Sequence, residues 1–197
     1  GKFTDVEGAS KHITAGAKKV LISAPGKDNM PTIVYGVNES IISKENNIFS
    51  AASCTTNCLA PVLKVLNDNF GIEKGYMSTI HAFTNDQVIQ DGTHSKGYMS
   101  RRGRAGSNNI IPASTGAAKA IGLVIPDLLG KMDGMAFRVP VIDGSMIDVT
   151  LEFKNRVTVE SINDAFKNNQ SEALKLTMDP IVSSDVVNKR EIGRAHV

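Results

Sequence analysis

The sequence has 197 residues, with 22 Lys and Arg against 20 Asp and Glu, a net charge of +2, 41% apolar residues and two cysteines. That composition supplies a core for one or two domains and excludes both intrinsic disorder and a disulfide scaffold. No apolar run approaches the roughly 20 residues needed to cross a bilayer, the small charge gives no general pull toward nucleic acid or anionic membrane, and Gly1 to Asp5 lacks a secretory pattern, so a cytoplasmic protein is expected.

In chain order, Thr4-Asp5-Val6-Glu7 reads as a capping box opening a short helix toward Ile13. Lys19 to Ser23 is a short apolar run closed by Ala24-Pro25-Gly26, the pattern of a buried parallel strand. Thr32 to Val37 and Asn47 to Ala51 are two further β-rich runs. Leu59 to Phe70 keeps helical spacing through Cys58, Leu59, Val62, Leu63, Val65 and Leu66, and Pro61 predicts a bend there or a late start.

Gly75 to Ile80 reads as a strand that delivers His81 to its far end. From Asn85 to Asn109 the chain is polar and glycine-rich without a period, and a loop of that length inside a domain is usually functional. Ser114-Thr115-Gly116 opens a small-residue helix, Ala117 to Ile121. Two strands follow at Met135 to Val139 and Ile147 to Phe153, and Thr158 caps a last helix carrying Ile162, Ala165 and Phe166. The expected class is α/β, with an antiparallel sheet following a parallel fragment. Residues 189–197 lack periodicity and read as a candidate non-native tail.

Cys54 falls where a strand gives way to a helix, and a helix N-terminus favours a thiolate. Such a cysteine is either an activated nucleophile or a small buried hydrophobe. Cys58, one turn deeper in the apolar stripe, fits the second description. His81 at a strand end is either a general acid/base for that thiol or a structural histidine. His12, His94 and His196 lie in polar surroundings. Cys54, Cys58 and scattered histidines lack the paired spacing of a zinc site, so no metal is expected. Lys96, Arg101, Arg102 and Arg104 form a basic stretch, and Thr115-Gly116 at a helix N-terminus offers a hydroxyl and free amides. With only Tyr98 nearby to stack on a base, a small phosphorylated ligand suits this set better than RNA.

Taken together, Ser50-Ala51-Ala52-Ser53-Cys54-Thr55-Thr56-Asn57-Cys58-Leu59-Ala60-Pro61 resembles the active-site signature of the glyceraldehyde-3-phosphate dehydrogenase family. His81 to Gln87, Asn109 to Ala120, Gly134 to Pro140 and Val182 to Asp185 resemble that family in the same order and spacing, over Gly1 to about Asn188. Ala51 stands where the family commonly has Asn.

The resemblance implies NAD-dependent oxidative phosphorylation of glyceraldehyde 3-phosphate to 1,3-bisphosphoglycerate in glycolysis, through a thiohemiacetal and a thioester. It implies Cys54 as nucleophile and His81 as its base, Thr84 and Arg138 on the substrate's phosphate, and Ser53, Thr55, Thr115 and Gly116 on inorganic phosphate with Arg102 nearby. Asn85 and Ser23 would lie on the nicotinamide side, and the long loop would pack against a neighbouring subunit in a homotetramer. No G-x-G-x-x-G occurs among these residues, so the resemblance further implies an internal piece of the enzyme, inactive alone: an α+β catalytic domain with a mostly antiparallel sheet (53–188), preceded by the remnant of a Rossmann-type parallel-sheet domain (1–52), with the main NAD-binding unit outside it. Two alternatives remain: erythrose-4-phosphate dehydrogenase, which shares the Cys and His, and a thiol acyltransferase or hydrolase built on the same pair.

Overall fold

The computed structural model describes residues 3–189 and 194–195. Asp5 caps the first helix, α1 (Val6–Thr14), because its extended backbone lets its carboxylate accept the otherwise orphan Gly8 amide at 2.8 Å. The cap therefore lies one residue beyond the Thr4 predicted from sequence, whose carbonyl accepts from the Lys27 amide instead. α1 packs on a two-stranded parallel sheet of β1 (Val20–Ile22) and β2 (Ile48–Ser50), with Ala9, Ile22 and Met30 buried between them. Leu21, on the opposite face, is 64% exposed, so β1 is covered on one side only and not on both as its apolar run suggested.

The run Thr32 to Val37 forms no strand beyond a single bridge from Thr32 to Ser50. Asn38 folds back on it: its side chain accepts from the Val34 amide at 2.8 Å and donates to the Thr32 carbonyl at 2.9 Å, taking groups a strand would need.

Helix α2 (Cys54–Phe70) begins well before Leu59, so the late start predicted from Pro61 does not occur. Pro61 cannot donate to the Asn57 carbonyl and costs roughly 3 kcal/mol in a helix interior. Leu59, Leu63 and Leu66 are buried on one stripe, each contributing about 1.5–3 kcal/mol, and that sum outweighs it. Gly71, with φ of +67°, reverses the chain into β3 (Ile72–Ala82).

The remaining elements are β4 (Ile111–Ser114), α3 (Ala117–Val124), β5 (Met132–Val139), β6 (Met146–Phe153), α4 (Val159–Asn168), β7 (Lys175–Leu176) and β8 (Arg194–Ala195). The main sheet runs β4-β5-β3-β6, with β3 and β5 parallel and the outer pairs antiparallel. Helices with a mixed sheet and a small parallel sheet make the architecture α/β. Strand β4 was not legible because Pro112 argues against a strand, but β4 is an edge, where a residue without an N–H is tolerated. Ser114 accordingly ends β4, and Gly116 caps α3. The backbone of β8 pairs in parallel with β7, so two residues of the stretch read as a tail join the fold, and the rest of Glu191 to Val197 lies outside the described residues. No helix among the described residues is long and apolar enough to cross a membrane.

The core lies between one face of the main sheet and α2, α3 and α4, with Leu59, Leu63, Met77, Ile121, Leu128, Met132 and Phe166 in one cluster. On the inward face the parallel register aligns Met77 with Gly134, Thr79 with Ala136 and His81 with Arg138. Gly134 is required by close approach, since a Cβ there would sit 2.5 Å from the Met77 carbonyl oxygen. Gly134→Ala is expected to push β3 and β5 apart and destabilise the chain by about 1–3 kcal/mol. Urea unfolding reads this directly, and an unchanged midpoint would show that the strands relax without cost.

Candidate active site

Element lengths bring the first reactive pair together. The 17-residue α2 spans about 26 Å at 1.5 Å per residue, and β3 returns about 33 Å from Ile72 to His81 at roughly 3.3 Å per residue. Because Gly71 joins them as a hairpin, the first residue of the helix meets the far end of the strand. Cys54 Sγ lies 3.4 Å from His81 Nε2, with the sulfur open to solvent and the imidazole buried.

The turn before Cys54 is held rigidly. Ala52 has φ of +59°, a left-handed conformation that costs a non-glycine residue roughly 1–2 kcal/mol. Its amide donates to Ser50 Oγ at 3.1 Å, while that hydroxyl donates to the Ala24 carbonyl at 2.8 Å and accepts from the Gly26 amide at 3.0 Å. Asn57 donates to the carbonyls of Ala51 and Ser53 at 2.7 and 2.9 Å, locking the turn to the helix. Ser53 is the helix cap, its Oγ accepting from the Thr56 amide at 3.0 Å. Thr55 is buried, with its hydroxyl 4.0 Å from the Cys54 sulfur.

The two cysteines are driven in opposite directions. The hydrogen bond to His81 is the largest influence on Cys54, and with the charge of that ring and the Thr55 contacts it outweighs partial burial, bringing the thiol down to about 7. Burial, aided by the nearby Cys54 charge, pushes Cys58 up to about 11. Position on the helix therefore separates a solvent-open, readily ionised thiol from a packing residue.

Arg138 sits behind the imidazole, as their paired register requires. Its Nη1 lies 2.8 Å from His81 Nδ1 and donates to the Ala82 carbonyl at 2.8 Å. Burial is the largest influence on this guanidinium, and with the charge of Arg102 it lowers the pKa from its ordinary value against the opposite pull of Asp86 and Cys54. Its Nε is a buried donor with no hydrogen-bond partner.

Asp86 had no role in the sequence reading, yet it joins two of the predicted anion-binding residues. Its carboxylate accepts from Thr84 Oγ1 and from Arg102 Nε. Burial opposes its ionisation, but those two donors and the charges of Arg102 and Arg138 hold it below the usual carboxylate range. Gln87, fully buried, braces the same corner: its side chain accepts from the Thr84 amide at 3.1 Å and donates to the Arg102 carbonyl at 3.0 Å.

A cavity of about 610 Å³ opens beneath the long loop, lined among others by Asp86, Lys96, Arg101, Arg102 and Ser114. Cys54 and His81 do not line it; Asp86, which does, holds Thr84 and Arg102. Thr115 and Gly116 occupy the N-terminus of α3, where Thr115 Oγ1 accepts from the Ala117 amide at 3.2 Å, without a hydrogen bond to Cys54, His81 or Arg138. Asn85, exposed beside Thr84, has a side-chain amide with no partner among the described residues, and Ser23 is exposed at the carboxyl end of β1. His12 meets the Phe3 ring edge-on and His94 accepts from the Lys96 amide; His196 lies outside the described residues. Among the described residues no group of three His, Cys, Asp or Glu side chains is arranged to hold a metal ion.

The thiolate is the alkylating species, so Cys54 labelling by iodoacetamide should rise with pH through about 7 while Cys58 stays unlabelled well into the alkaline range. His81→Asn removes the main influence that lowers the Cys54 pKa and should move the Cys54 profile to higher pH. Mass spectrometry after brief labelling checks both, and equal labelling of the two cysteines near pH 7 would refute the assignment.

Residues 53–194 match the family described as glyceraldehyde 3-phosphate dehydrogenase, C-terminal domain. The chain is similar to the glyceraldehyde-3-phosphate dehydrogenase of Clostridium acetobutylicum, 58% identical over 187 residues, and to that of Clostridium pasteurianum, 56% identical over 187 residues. It is 53% identical over 188 residues to the Streptococcus pyogenes enzyme. Each alignment covers 95% of this chain, and the chain spans about 56% of the length of these curated relatives. By the span of that match, this chain belongs to the glyceraldehyde-3-phosphate dehydrogenase family.

Proposed function

We propose that this chain supplies the nucleophile, the base and the anion-binding residues of a phosphorylating, NAD-dependent glyceraldehyde 3-phosphate dehydrogenase working in glycolysis. The observation that carries the reading is the 3.4 Å contact of Cys54 Sγ with His81 Nε2, backed by a buried Arg138 whose Nε is unpaired. A thiol near 7 is substantially thiolate at neutral pH, which is what attack on an aldehyde carbon needs.

Cys54 Sγ forms a bond to that carbon as the C=O π bond breaks, and the thiol's proton, carried by His81 Nε2, makes the carbonyl oxygen a hydroxyl. His81 takes the hydroxyl proton at Nε2. NAD, when bound, supplies the acceptor for the hydride whose departure turns the hemithioacetal into a thioester. Cys54 then carries the acyl group until inorganic phosphate attacks it; the acyl phosphate departs and the sulfur leaves as thiolate. Arg138 and Thr84 hold the substrate's phosphate, while Ser53, Thr55, Thr115 and Gly116, with Arg102 nearby, hold the attacking phosphate.

The residues present fit the nicotinamide end of the cofactor. Asn85 offers an unpaired amide beside Thr84, and Ser23 follows the carboxyl end of a parallel strand, where open α/β sheets bind ligands. On this reading residues 1–52 belong to the nucleotide-binding side, residues 53–188 to the catalytic side, and this chain alone does not turn over. Exposed Tyr76 and Met146 on the outer face of the main sheet support assembly as a homotetramer, and the balanced charge supports a cytoplasmic setting.

In the enzyme that carries this chain, Cys54→Ser is expected to abolish phosphorylating activity, and His81→Asn to slow it by roughly 10²–10⁴-fold. Arg138→Ala should mainly raise the KM for the phosphorylated aldehyde, and Thr115→Ala the KM for inorganic phosphate. Initial rates with each substrate varied in turn check the division, and identical profiles for the two variants would count against it. Turnover on erythrose 4-phosphate, compared with glyceraldehyde 3-phosphate, separates the sister activity.

A further inference from the structure

We propose that Gln87 is a positioning residue: its buried amide, with Asp86 beside it and Gly103 against it, fixes Arg102 of the long loop against Thr84 and so sets the spacing between two anion-binding groups. Gln87 is fully buried, and each end of its amide meets one backbone group. Oε1 accepts from the Thr84 amide at 3.1 Å and Nε2 donates to the Arg102 carbonyl at 3.0 Å. Those partners fix which way the amide points, because an N–H can pair only with its oxygen and a carbonyl only with its nitrogen. Asp86 ties the same two residues through their side chains, accepting from Thr84 Oγ1 and from Arg102 Nε. Two adjacent residues therefore join Thr84 to Arg102 twice, once by backbone and once by side chain.

Among the described residues, every other hydrogen bond made between Val88 and Asn109 spans five residues or fewer. Both bonds that cross the loop end on Arg102, so the place of that residue depends on Asp86 and Gln87. Two glycines make the approach possible. A Cβ on Gly103 would sit 2.7 Å from the Gln87 carbonyl oxygen and 2.9 Å from His94 Cβ, and one on the buried Gly106 would sit 3.2 Å from Gln87 Nε2. Arg102 gives only Nε to Asp86; its Nη1 and Nη2 have no partner among the described residues, and the side chain lines the cavity with Lys96 and Arg101. A guanidinium held at Nε keeps its other donors for an oxyanion. Loosening the clamp therefore weakens the handling of that anion without touching Cys54. This consequence rests on the reading that Arg102 assists inorganic phosphate; the clamp itself does not.

The test uses the enzyme that carries this chain and two variants. Gly103→Ala displaces the loop from Gln87 without removing a polar side chain, and Gln87→Met keeps the length of the side chain without its amide; if Gln87→Met fails to fold, Gly103→Ala carries the test alone. Hydrogen–deuterium exchange read by mass spectrometry should rise across residues 95–108 in each folded variant. The KM for inorganic phosphate should rise about 10-fold, as expected for losing a hydrogen bond to a charged group, while the pH profile of Cys54 alkylation stays in place. Because the effect passes through Arg102, adding Gly103→Ala to Arg102→Ala should raise that KM no further. Unchanged exchange in every folded variant would overturn the clamp. Raised exchange with a phosphate KM that responds to Arg102→Ala but not to Gly103→Ala, or an additive double variant, would overturn the positioning role. Raised exchange with a phosphate KM that does not respond even to Arg102→Ala would uphold the clamp and overturn the phosphate reading of Arg102.

Discussion

The contact between Cys54 and His81 exists only because a helix start and a strand end arrive at the same edge of the fold. Neither residue has freedom to compensate for an error in the other. Cys54 is fixed by the left-handed Ala52 and by Ser50 and Asn57, which tie five backbone groups around that turn. His81 is fixed by its pairing with Arg138 of β5, next to Ile80, which pairs with β6 as well. Strain of roughly 1–2 kcal/mol at Ala52 persists because the surrounding bonds over-determine it, as expected where a backbone turn aims a reactive side chain.

Behind that pair stand a guanidinium, a carboxylate and a second guanidinium, Arg138, Asp86 and Arg102. Asp86 opposes the effect of burial on Arg138, and it accepts hydrogen bonds from Thr84 and Arg102. Without it two guanidinium groups would stand near each other with burial opposing the charge of Arg138. A carboxylate here keeps the Thr84 hydroxyl and the Arg102 guanidinium ordered beside Arg138.

What the sequence disclosed and concealed follows from the range of each interaction. The helix N-terminus at Cys54 and the strand ending near His81 are local patterns, so both residues were legible without comparison. Arg138 acts on His81 across 57 residues of chain through a strand register that periodicity does not encode, and only the family resemblance singled it out. Asp86 and Gln87 stood inside a quoted motif, but their partner Arg102 comes back across a loop with no period. The strand predicted at Thr32 to Val37 failed to one side chain, Asn38, and β4 was hidden by a proline that only an edge position tolerates. In each case a tertiary contact overrode a local preference.

The two cysteines make the same point in energetic terms. They lie one turn apart on one helix, and the N-terminal one sits at about 7 while the deeper one is pushed to about 11. A thiolate loses intrinsic nucleophilicity as its pKa falls, with a Brønsted slope of about 0.4–0.5, so the best attacking thiol has a pKa near ambient pH. Stronger stabilisation of Cys54 would give a poorer nucleophile, and deeper burial would give no thiolate at all. The opposing effects of partial burial and the His81 hydrogen bond bring the thiol near that optimum, and the element lengths of α2 and β3 determine how much of each it receives.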